Sequence, residues 1–251
     1  MKINKHGLRR YIPTEIKRLV RRRSGFGCVI CGLGFYEYEH VDPEFNDTKE
    51  HDPYKITLLC PNCHGKVTTK KWTKDKVRAA MMNPKNFSTS TVKDIFDIGE
   101  NELTVIWGDT SFTGSHQIIN IEGKGVLKFE VCKESKKWLL SGRFNNSKGE
   151  LALIIEKNEW IGYLDNWDIN VEGQSIVIRE KSKHICLHLI VDPPNILIIK
   201  QSDVNYGNLR IVTKGKSTIF YNNKMEPSLT LSNNVFSNNF IDILIDNNPF
   251  N

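Results

Sequence analysis

Four of the six cysteines fall into two C-x-x-C pairs, Cys28/Cys31 and Cys60/Cys63, with 28 residues between Cys31 and Cys60. Thiolates at that spacing form compact knuckles, and two knuckles together offer the tetrahedral sulfur set that structural zinc prefers. A second group of chemistry-bearing residues lies inside the gap. Tyr36-Glu37-Tyr38-Glu39-His40 is followed by Glu50-His51-Asp52 and then by Cys60-Pro61-Asn62-Cys63-His64. A carboxylate beside a histidine on a strand, followed by a histidine just inside a helix, is the arrangement that assembles an open metal site. Adjacent helix residues point about 100° apart. With Cys63 facing the zinc, His64 therefore faces elsewhere and is free for a different ion. Cys132 and Cys186 lie singly in strand-like runs.

Such residues need a small mixed scaffold to hold them. The pattern predicts a helix over 13–23, with Ile16, Leu19 and Val20 as its apolar stripe. It predicts two more, from Pro61 to about Lys70 and over 73–82, with a hairpin between the knuckles. A segment this short has little core, so the metal is expected to supply much of its folding energy. Residues 84–95, rich in Pro, Asn, Ser and Thr, read as a linker. Beyond them β-favouring runs recur about every ten residues: 103–107, 117–121, 126–131, 138–144, 151–155, 160–164, 167–171, 175–179, 185–191, 196–200, 209–212, 218–221 and 241–245. The expected fold class is α+β. Residues 1–83 form a zinc-stabilised first domain, and 96–251 an all-β domain, either a β-sandwich or β-solenoid-like.

Charge separates the same two regions. Residues 1–90 carry 18 Lys+Arg against 9 Asp+Glu, whereas 91–251 carry 17 against 20. A basic first third beside a mildly acidic remainder points to a polyanion partner for the former, and phosphate backbones bind such segments by counterion release. No apolar run approaches the roughly 20 residues of a membrane span, and the polar, basic start has no secretory pattern. No membrane partner and a cytoplasmic location are the resulting expectations.

The C-x-x-C knuckle, the Glu39-His40 pair and the Leu58-Leu59-Cys60-Pro61-Asn62-Cys63-His64 run resemble the HNH nuclease family with its ββα-metal fold, over roughly residues 8–85. The resemblance implies a general-base role for His40. It implies a divalent cation (Mg²⁺, Mn²⁺, Ni²⁺ or Zn²⁺) bound by Glu39 and His64, and structural zinc on the four cysteines. This chain departs from the family where Lys55 stands in place of its middle Asn, so His51, Lys55 and Asn62 are auxiliary candidates. Arg21, Arg22, Arg23, Lys66, Lys70 and Lys71 are the expected DNA contacts, positioning the duplex without reading it. The implied activity is hydrolysis of DNA phosphodiester bonds, in an architecture that fits restriction or phage defence. The alternative is a catalytically impaired, zinc-stabilised DNA-binding or adaptor protein. The β-rich part carries no catalytic constellation. It is expected to sense a ligand, bind a protein partner or form a homo-oligomer. Asn158-Glu159-Trp160 and Asn166-Trp167-Asp168 stand out within it as aromatic-plus-carboxylate clusters at turns.

Overall fold

The computed structural model describes residues 3–245, which are mostly strand with few helices. Two compact units emerge. The first takes the chain up to Asp94 together with Tyr163–Gly173, and the second takes Ile95–Gly162 and the chain from Gln174 onward.

In the first unit, α1 (Thr14–Arg23) is followed by β1 (Glu37–His40), β2 (Ile56–Leu59), α2 (Pro61–Thr68) and α3 (Lys74–Met82). Val20 and Arg21 are the buried side of α1, and Arg21 to Arg23 occupy its last turn, where cations favour the helix dipole. The Cys60 side chain caps α2 by accepting from the Cys63 N–H, and Pro61 opens the helix where no N–H partner is needed. Thr73 caps α3 in the same manner. β1 and β2 pair antiparallel with Glu39 opposite Thr57 and His40 opposite Ile56. Val29, Val41, Leu59, Val67 and Val77 close a core around three of the knuckle cysteines, with Trp72 and Met81 packed on it.

The expected linker at 84–95 is instead ordered. A 3-10 turn at Lys85–Ser88 leads to β3 (Thr91–Ile95). Asn86 is 5% exposed. Its amide donates to the carbonyls of Gly25 and Gly32 at 2.9 and 3.0 Å. A polar composition misleads here because the amide is spent on backbone acceptors that would otherwise be buried without a partner. Gly32 has φ +87°, and an added Cβ would collide with that same amide.

Tyr163–Gly173, expected within the β-rich domain, also belongs to the first unit. Its strand, Asp168–Glu172 (β11 in chain order), is joined to α1 by a buried ion pair. Arg21 Nε and Nη2 donate to the two Asp168 oxygens at 2.9 and 2.7 Å. Tyr36 Oη accepts from the Val171 N–H at 3.3 Å, and the Arg18 guanidinium lies 4.3 Å from the Trp167 ring centroid.

The second unit is built from β4 (Thr104–Trp107), β5 (Thr110–Thr113), β6 (Gln117–Ile121), β7 (Lys124–Val131), β8 (Trp138–Asn145), β9 (Leu151–Glu156) and β10 (Glu159–Tyr163). After the excursion come β12 (Ser175–Lys181), β13 (His184–Asp192), β14 (Ile196–Asn205), β15 (Arg210–Lys214) and β16 (Ser217–Tyr221). The last are β17 (Pro227–Leu231), β18 (Val235–Ser237) and β19 (Ile241–Ile245). One sheet runs β19-β6-β7-β8-β9-β10 and the other β12 through β17, with β4 added parallel to β14. Successive antiparallel hairpins, rather than stacked parallel coils, remove the solenoid alternative. Lys157 and Asn158 both have positive φ in the β9–β10 hairpin, and the Asn158 amide also bonds Leu140 N and Trp138 O across on β8. The Asn158-Glu159-Trp160 cluster is therefore a turn and its anchor. Trp107 is buried, its ring 6.4 Å from Phe144, and its indole N–H donates to Thr213 Oγ1 at 2.8 Å.

Candidate functional site

The four knuckle sulfurs all lie within 4.8 Å of one another, with Cys31 and Cys60 3.5 Å apart. A zinc tetrahedron with Zn–S of about 2.3 Å has edges of about 3.8 Å, so the sulfur set fits that ion. Cys28, Cys60 and Cys63 are buried and Cys31 is exposed. Hydrogen bonding from Cys31 draws the Cys28 thiol down to about 5, while burial pushes Cys63 up to about 12. Clustered thiols cannot all ionise side by side without a cation to offset the charge. This is the only cluster of three or more His, Cys, Asp or Glu ligand atoms within such a radius among the described residues.

On the other side of Cys63, His64 is held between two carboxylates of β1. Its Nε2 is 3.1 Å from Glu39 Oε2 and its Nδ1 is 2.5 Å from Glu37 Oε2. Glu37 and Glu39 share one face because strand side chains alternate with a period of two. Glu37 went unnoticed in the sequence, although the Glu-x-Glu spacing was its signal. Adjacent ligands of an octahedral ion at about 2.1 Å sit about 3.0 Å apart, so the Glu39–His64 spacing suits a divalent cation. Glu37 meets the other ring nitrogen of His64, where a carboxylate could orient the imidazole. Burial pushes the Glu39 carboxyl above its ordinary range, against the opposing pull of His64 and Lys74. The pair opens on a pocket of about 560 Å³ that Lys70, Trp72 and Lys74 also line. Lys74 reaches in from α3, bonding Val41 O at 3.0 Å and Glu44 at 2.6 Å.

His40 is not brought to that pair. It lies on the opposite face of β1, 7% exposed, with its Nε2 3.1 Å from His51 Nδ1. His51 Nε2 in turn meets the Arg9 carbonyl at 2.9 Å. Phe45 lies parallel to the His51 ring and tilted against His40, and the Arg10 guanidinium sits over Phe45. Burial first, then His51 and Arg10, hold His40 down at about 4, which keeps the ring neutral near pH 7. Of the other auxiliary candidates, Lys55 is exposed and 3.8 Å from Asp52, and Asn62 is exposed in the first turn of α2.

The basic candidates divide in the same way. Arg22, Lys70 and Lys71 are exposed. Arg23 lies over Tyr54 and donates to the Pro53 carbonyl at 2.8 Å, and Lys66 sits 4.6 Å from the centroid of Trp72. Arg21 is corrected: at 3% exposure and bound to Asp168, its guanidinium is spent inside the fold and cannot meet a phosphate. No helix among the described residues is long and apolar enough to cross a membrane. No family model matches the chain, and comparison with curated proteins and with solved structures gives no match.

Proposed function

We propose that the first unit is a metal-dependent endonuclease of the HNH kind, hydrolysing DNA phosphodiester bonds, on a scaffold stapled by structural zinc. The observation that carries this reading is the Glu39–His64 contact of 3.1 Å, backed by Glu37 and opening on a lysine-lined pocket beside the cysteine cluster. Glu39 and His64 would hold a divalent cation, which supplies neutralisation of the phosphate and of the departing oxyanion. Lys70 and exposed Arg22 would fix the backbone electrostatically, and neutral His40 would take a proton from water.

A second reading has a specific observation in its favour. His40 faces away from Glu39, and its Nε2 is already engaged, as in a DNA-binding or adaptor module that kept the scaffold but does not cleave. Plasmid nicking with Mg²⁺, Mn²⁺ or Ni²⁺, run beside Glu39→Gln and His40→Ala, separates the two. Nicking that both substitutions abolish is the expected result. Binding without nicking under every cation would establish the adaptor. For the β-rich unit we propose a role in ligand sensing, partner binding or self-assembly.

A further inference from the structure

We infer that the cavity beside Glu39 and His64 is a subsite for one unpaired nucleotide, so that the DNA taken by the first unit is single-stranded or locally unpaired at the cut. This rests on the nuclease reading above and adds to it the class of substrate.

The cavity is larger than a bare phosphate contact requires. Its volume of about 560 Å³ falls within the range of roughly 300–1,000 Å³ of sites that enclose a small organic ligand. A base pair inside a stacked duplex cannot enter such a space, whereas a single extruded nucleotide can. The lining is mixed in the manner that occupant needs. Val67 and Trp72 give an apolar wall, and Thr68, Lys70, Thr73 and Lys74 set polar groups around it. A track for phosphates alone has no use for the apolar wall. An aromatic wall beside cations is how unpaired strands are held without regard to sequence.

The polar groups are partly committed within the fold, and what is left is complementary to a nucleotide. Thr68 Oγ1 donates to the His64 carbonyl at 3.1 Å, which leaves its lone pairs to accept. Thr73 Oγ1 accepts from the Lys76 N–H at 3.3 Å, which leaves its own proton to donate. A base edge carries both kinds of group. Lys74 uses two of its three N–H groups on Val41 O and Glu44, at 3.0 and 2.6 Å. Among the described residues the third remains for a phosphate oxygen. Glu44 is thereby paired, so its charge does not stand alone against an incoming phosphate.

The wall is set before any strand arrives. Trp72 packs on the cysteine core, and its backbone N–H donates to the Lys66 carbonyl at 3.0 Å. The ammonium groups of Lys66 and Lys76 lie 4.6 and 4.3 Å from the indole centroid. A side chain held in this way loses little freedom on binding.

The test measures binding of the full chain by fluorescence anisotropy, with Ca²⁺ in place of Mg²⁺. The probes are a short labelled DNA strand, the same strand in a perfect duplex, and that duplex with a one-nucleotide bulge. Counterion release alone favours the perfect duplex, whose charge is denser. Wild type is instead expected to bind the single strand and the bulge roughly tenfold tighter or more, because neither has to be unpaired first. Thr68→Phe, at an exposed position on α2, fills the cavity and should cancel that preference. Trp72→Leu should weaken the single strand by roughly fivefold to a hundredfold, the range for loss of an aromatic contact to a base, and leave the duplex unchanged. Zinc content checks that each variant folds. With Mg²⁺, negatively supercoiled plasmid should be nicked faster than its relaxed form, since supercoiling favours unpairing. A perfect duplex bound as tightly as the single strand, or a preference that survives Thr68→Phe, overturns the subsite, and the nuclease reading stands if that duplex is still cut. A chain that prefers the unpaired strand but cuts nothing with Mg²⁺, Mn²⁺ or Ni²⁺ keeps the subsite and overturns the nuclease reading.

Discussion

Removing the Asp168 carboxylate would strand the Arg21 guanidinium in the interior of the first unit. The two side chains are 4% and 2% exposed, and two short bonds join them. Among the described residues, Tyr38 Oη, at 2.9 Å from Nη1, would remain as the side-chain hydrogen-bond partner. Breaking one half of a buried pair costs about 3–5 kcal/mol, because the surviving charge keeps its desolvation penalty. With a urea m-value of about 2 kcal/mol/M, Asp168→Ala should lower the midpoint of the first unit by roughly 1.5–2.5 M. The transition can be followed by release of zinc alongside tryptophan fluorescence, since the two units need not melt together. High salt should leave the difference in place, because a buried pair is poorly screened. Arg21→Met with Asp168→Leu should recover most of the loss by leaving no charge behind. Asp75→Ala, which breaks an exposed pair with Arg78, should leave the midpoint unmoved. If Asp168→Ala behaves like Asp75→Ala, or the double variant is as unstable as the single one, the pairing of α1 with β11 is wrong.

Purified protein should carry one zinc per chain, and Cys60→Ser should lose both the metal and the first unit's fold by elemental analysis and circular dichroism. Glu37→Gln should reduce nicking by roughly tenfold to a hundredfold and weaken Mn²⁺ affinity while zinc stays bound. Asn86→Ala leaves two buried carbonyls without a donor and should cost about 1–3 kcal/mol in denaturant melts. Lys70→Gln should lower the slope of log K against log salt for DNA binding by about 1, which a filter-binding series would measure.

Regular elements were the legible part of this chain, and long-range pairings were not. The strands of the second unit announce themselves through β-branched runs between Gly, Asn and Asp, and Gln117–Ile121 and Ile241–Ile245 fall where the pattern puts them. Thr110–Thr113 and Pro227–Leu231 were missed because one is short and hydroxyl-rich and the other is exposed at four of its five positions. The cysteine cluster was readable from spacing, and the approach of Glu39 to His64 was what the family resemblance implied. Arg21 looked like a phosphate contact because it sits in a basic run on an amphipathic helix. Its partner is 147 residues away, and nothing local in either segment encodes that meeting. His51 was visible only as a loop histidine between two acids, since the Arg9 carbonyl that gives it direction is supplied by the backbone.

The eleven residues Tyr163–Gly173 reach their place in the first unit only after the 68 residues from Ile95 to Gly162 have been made. At about 5–20 residues per second on the ribosome, roughly 3 to 14 seconds separate the emergence of the two parts. During that interval α1 presents Arg21 without its carboxylate, so the nascent front end has to wait for a late arrival before it can lock. A chain cut just after the apparent boundary near residue 95 would never leave that waiting state, which makes such a fragment a poor stand-in for the intact protein.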